Sequence, residues 1–124
     1  GGSGQIGAVH ALLDEESARH GGGPAGWFFP TEEQYMPLLA GAGFSTRSGG
    51  WLRLLRQRRS LPDEAAFVGW LRSQVLVAYD AVLPAERVRA FRHAAAERAL
   101  AELRRADGSY DQDYVRLDLL AFPV

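Results

Sequence analysis

Only two stretches of this 124-residue chain read as β-strand, and a long helical region separates them. The first, WLRLLRQRR at residues 51 to 59, mixes apolar and basic positions. The second, YVRLDLLAFPV at 114 to 124, alternates more cleanly: Val115, Leu117, Leu119 and Ala121 face one way, and Tyr114, Arg116 and Asp118 the other. The apolar ends Leu120 and Phe122 indicate partial cover on both faces. Two strands make a poor independent sheet, because three or more are usually needed. Both would leave backbone edges unpaired. Something that should lie beside this pair is therefore expected to be missing from the chain.

The remaining signals are helical. Ile6, Val9, Leu12 and Leu13 recur at roughly helical spacing, which predicts a helix over residues 5 to 19, stopped by Gly21, Gly22, Gly23 and Pro24. Thr31 followed three residues later by Gln34 is a capping-box pattern, with Glu32 and Glu33 placed where the helix dipole favours acids. The helix that follows carries Tyr35, Leu38, Leu39 and Ala42, ends at Gly41 or Gly43, and should be kinked or shortened by Pro37. LPDEAAF opens another, whose predicted inner face is Phe67, Trp70, Leu71, Gln74, Val75, Ala78 and Val82. Pro84 opens the last long helix, with Val88, Phe91, Ala95, Ala99 and Leu103 as its buried stripe and Asp107-Gly108 as the turn beyond it.

Composition removes several kinds of chemistry. Hydrophobic residues make up 47% of the chain, enough for a packed core, while a net charge of -1 gives no bulk attraction to nucleic acid or an anionic membrane. The absence of cysteine excludes disulfides, thiolate nucleophiles and thiolate metal sites. His10, His20 and His93 lack metal-ligand spacing, so no metal is expected. All 14 basic residues are arginine, which matches GC-rich coding bias and excludes a Schiff-base or P-loop lysine. No apolar run approaches the roughly 18 residues of a membrane span and no signal peptide is visible, so the cytoplasm is the expected compartment.

GGSGQIG at residues 1 to 7 fits the G-x-G-x-x-G spacing of a dinucleotide-binding turn. That turn works only when a buried strand delivers the chain into it and an acidic residue follows about 20 positions later. Neither is expected here, since residues 20 to 26 read HGGGPAG. The glycines predict a loop leading into a helix.

Read in order, the motifs resemble those of class I S-adenosylmethionine-dependent methyltransferases, most nearly the trans-aconitate methyltransferase-like group. Phe28, Phe29, Pro30 and Thr31 resemble the aromatic-aromatic-Pro-Ser/Thr stretch after that family's fifth strand, and Gly43-Phe44 its entry to strand six. RRSLP at 58 to 62 is similar to its Arg-Pro-Thr-x-Leu-Pro stretch, VGWLR at 68 to 72 to its Gly-Trp-Leu, and DYVRL within 107 to 123 to its terminal seventh strand. GGSGQ resembles its Gly-Gly-x-Gly-Asn after strand five, with Gln5 in place of Asn. The chain departs from the pattern at Arg59, where the family has Pro, and at Pro37 in the short helix.

The resemblance implies an α/β fold: the C-terminal portion of a Rossmann-like methyltransferase, with about four helices, an antiparallel last pair of strands and an incomplete sheet. Residues 1–61 would supply helices and strand six, 62–106 a helical cap insert, and 107–124 strand seven. The S-adenosylmethionine site would belong to an N-terminal half that this chain lacks, so no cofactor is expected for this chain alone. Its partners would be that missing half, or a second copy, and a small-molecule substrate. Six residues are candidates for substrate binding. Phe28 and Phe29 either line a pocket beyond the strand ends or staple the Thr31 cap; Arg59 either holds a substrate carboxylate bidentately or is a solvated strand end. Trp70 and Tyr79 lie on the insert that covers the family's active site, or in its core, and Tyr114 shares a strand face with Arg116, which is expected to pair with Asp118 or a neighbouring carboxylate. No catalytic base is assigned, because methyl transfer to a carboxylate needs none and positioning carries the work. The alternative is a non-catalytic, helix-rich module that dimerises or docks through its open sheet edge.

Overall fold

The computed structural model describes all of residues 1–124. It is a mixed α/β chain with four α-helices: α1 (Gly7–Arg19), α2 (Glu32–Gly41), α3 (Glu64–Trp70) and α4 (Val88–Glu102). Four strands form two two-stranded sheets: β1 (Phe44–Ser45) with β4 (Phe122–Pro123), and β2 (Trp51–Leu61) with β3 (Tyr110–Leu120). The β1–β4 pair is antiparallel, with Phe44 opposite Pro123 and Ser45 opposite Phe122. Gly50, before β2, lies against the Leu120 carbonyl at the end of β3, as an antiparallel pair requires. No helix is long and apolar enough to cross a membrane.

The chain divides into two compact units. The helical unit comprises Ile6–Trp27 and Arg59–Gln112; the second comprises Gly1–Gln5, Phe28–Arg58 and Asp113–Val124. The 62–106 insert expected from the sequence thus lies wholly within the helical unit, which also takes α1.

The helical unit has a closed core. Helix α1 buries Val9, Leu12, Leu13, Glu16 and Ser17, the i, i+3, i+4, i+7, i+8 stripe of an amphipathic helix. Helix α4 turns Phe91, Ala95 and Ala99 inward, and the small alanines let its backbone approach closely. One ion-pair cluster ties α1 to α4: Arg98 reaches Glu15 at 3.1 Å, Glu16 at 3.2 Å and its own-helix Glu102 at 2.9 Å. Glu16 is buried, and its charge is tolerated because Arg98 and Arg19 both face it.

The α3 region departs from the predicted periodicity. The α-helix capped by Asp63 lasts only to Trp70, then becomes a π turn (Leu71–Val75) and a 3-10 turn (Leu76–Tyr79). The inner stripe is therefore carried forward by five residues from Leu71 to Leu76, then by three to Tyr79, leaving Gln74 exposed. Pro84 precedes a 3-10 turn (Ala85–Arg87) rather than α4 itself, and the predicted α4 stripe is buried at Phe91, Ala95 and Ala99.

In the second unit the capping box is complete: Gln34 N donates to Thr31 Oγ1 at 3.1 Å, and Thr31 N donates to Gln34 Oε1 at 2.9 Å. Helix α2 runs through Pro37 to Gly41, but of its apolar residues only Leu39 is buried. The sheet edges are not left wholly open, as the sequence had suggested. Gly2 N donates to the Val115 carbonyl at 2.8 Å, and Val115 N donates to Gln5 Oε1 at 2.6 Å, closing part of the β3 edge. On β2, Leu54 N donates to Glu32 Oε1 at 3.1 Å. Strand β3 begins four residues earlier than its alternation predicted, because Tyr110 and Gln112 are buried in the helical unit before Val115 is buried in the other.

Candidate functional site

The polar group with the most organised geometry lies in the helical unit, around Asp14. Its position on α1 sets His10 one turn away, and His10 Nε2 stands 3.1 Å from Asp14 Oδ2. The other carboxylate oxygen, Oδ1, accepts from the Tyr79 hydroxyl at 2.6 Å and from the Ala25 backbone N–H at 3.1 Å. Tyr79 arrives there because the 3-10 turn after the π turn rotates it inward. Trp27 completes the group, edge-on to the His10 ring at 5.0 Å and to the Tyr79 ring at 5.8 Å.

Burial, and then the hydrogen bond to Asp14, push the Tyr79 phenol far above its ordinary range. Tyr79 is therefore a fixed neutral donor, and Asp14 a carboxylate that orients its neighbours. His10 is the member nearest to solvent, with a quarter of its side chain exposed. The arrangement can position a polar ligand through hydrogen bonds.

The six candidates from the sequence fall three in each unit. Tyr79 is fully buried and serves Asp14, with its ring also against Phe91 at 5.1 Å. Trp70 is buried against Phe67, which in turn stacks on Tyr110 at 4.3 Å. Both therefore have core packing as their visible role. Arg59 is exposed on β2. In the second unit, Phe28 is 61% exposed, while Phe29 and Tyr114 are half-buried. Arg116 pairs with Asp118 at 2.8 Å, the partner expected of it, and holds that carboxyl below its usual range. His10, Asp14 and Trp27 were not singled out as a group from the sequence, although the i, i+4 spacing of His10 and Asp14 was available to find two of them.

No three or more His, Cys, Asp or Glu side chains gather as a metal site would require. The second unit holds an apolar cleft of about 460 Å³ between α2 and the β1–β4 pair, lined by Met36, Leu39, Phe44 and Val124 among others. Compared with known proteins, the sequence matches no family profile and no curated protein.

Proposed function

We propose that this chain is the C-terminal, substrate-covering portion of a class I S-adenosylmethionine-dependent methyltransferase that acts on a small molecule, a carboxylic acid being the first class to test. The observation that carries this reading is an imbalance of cores. Nine of the ten large exposed hydrophobic residues belong to the second unit, the exception being Val77. That unit buries only Pro30, Leu39 and Val115 among its apolar side chains. A sheet so poorly covered is what remains when the strands and helices that pack against it belong elsewhere.

Two further features support the reading. The order of motifs from GGSGQ to DYVRL follows the family, and Gly2 hydrogen-bonds to β3, as the exit of a fifth strand beside a seventh would. In this reading the helical unit is the cap insert, and the donor-binding turn lies outside the chain. Calorimetric titration of the folded chain with S-adenosylmethionine and S-adenosylhomocysteine tests it. The expected result is no binding heat; micromolar affinity for either would overturn the missing-half reading.

The same exposed apolar surface favours a second reading, a non-catalytic module that dimerises through the second unit. Light scattering on the same sample separates the two. A discrete dimer of twice the chain mass supports the module, and a monomer or a broad distribution of aggregates supports the severed half.

A further inference from the structure

A cleft of about 510 Å³ opens within the helical unit, away from the Asp14 group, and its walls are basic. Arg72 comes from the π turn, Ala85 from the short 3-10 turn, and Val88, Arg89, Arg92 and His93 from the first turns of α4. The spacing of Arg89, Arg92 and His93 puts them on one helix face, and the π turn is what brings Arg72 opposite.

Arg92 reaches both oxygens of Asp80 through a single nitrogen, Nη2, at 2.8 and 2.7 Å. Its Nε is buried and donates to nothing. Asp80 offsets Arg92, and Glu97, 3.3 Å from His93, answers any charge on that ring. Arg72 and Arg89 pair with no acidic group, which leaves two uncompensated positive charges on the cleft. The N-terminal end of α4 adds to the positive potential.

We propose that this cleft binds a small phosphate monoester, with Arg72 and Arg89 holding the phosphate oxygens. Two free guanidinium charges match the roughly −1.5 to −2 of a phosphate monoester at neutral pH better than the single charge of a carboxylate. Ala85 and Val88 give an apolar wall for the organic part, and the volume falls within the roughly 300–1,000 Å³ of small-molecule sites. This site stands independently of the methyltransferase reading.

The test is an NMR titration of the whole chain, following the arginine side-chain Nε–Hε signals, with glycerol phosphate, inorganic phosphate and succinate as separate probes. The Arg72 and Arg89 signals are expected to move with glycerol phosphate and to saturate at lower concentration than with inorganic phosphate. Arg89→Ala, at an exposed position where the fold tolerates truncation, should weaken binding roughly 10-fold or more, and Arg105→Ala, whose partner is Asp111, should leave it unchanged. Signals that do not move would overturn the site. Succinate or inorganic phosphate binding as tightly as the ester would overturn the assignment of a monoester.

Discussion

Asp14 is partly exposed, yet it organises residues that lie far apart in the chain: Tyr79, the Ala25 amide and His10 all meet its two oxygens. Removing the buried hydroxyl leaves the carboxylate one donor short, so Tyr79→Phe is expected to cost about 1–2 kcal/mol in urea unfolding. The same residue sets an alkaline limit. Its phenol is raised in the folded state above the ordinary value of about 10, so its contribution is complete below pH ~10 and is lost as the pH rises beyond it. Phenolate absorbance should show a late phase that coincides with unfolding, and the Phe variant should show a smaller one. Local signals at this scale were legible in the sequence: Thr31 and Gln34 form the box their spacing promised, and Arg116 finds Asp118. The Asp14–Tyr79 bond was not, because it joins positions 65 apart and depends on a turn that propensity does not encode.

That turn belongs to the scale of elements. An ideal helix through residues 64 to 82 would have turned Gln74 inward; the π and 3-10 turns instead bury Leu76 and Tyr79 and keep Gln74 in solvent. From residue 75 to 82 every position but Asp80 is apolar, so 3.6-residue spacing and a mixed path fit almost equally well, and packing decides. The start of β3 was missed for a related reason: Tyr110, Asp111, Gln112 and Asp113 have no apolar alternation, and only tertiary burial of Tyr110 and Gln112 makes them strand. Where α1 ends, geometry leaves less choice. Gly21 adopts φ 80° and Gly22 N donates to the Ser17 carbonyl at 2.9 Å. A Cβ at Gly22 would stand 2.9 Å from the Val82 carbonyl oxygen and would also press on Ser17 and Leu83. Gly22→Ala is therefore expected to destabilise the chain by about 1–3 kcal/mol, read as a lowered thermal midpoint; an unchanged midpoint would show that the α1 exit is free to shift.

For the whole molecule, the governing fact is that one unit closes its core and the other does not. Tyr79, Tyr110, Phe67, Phe91, Leu13, Leu71 and Leu76 are all fully buried in the helical unit. The second unit exposes Phe28, Leu38, Leu120 and Phe122 beside strands that have few pairing partners. The scarcity of strands was legible in the sequence, whereas the division into units was not, because each is assembled from separated segments. Backbone amides open at a free energy set by the apolar cover around them. Hydrogen exchange read by mass spectrometry on the full chain measures that cover directly. Amides of α1 and α4 are predicted to exchange roughly 100-fold or more slowly than those of α2, β1 and β4. Equal protection in the two units would contradict the account, because it would show that the second unit is as fully supported as the first without anything further packed against it.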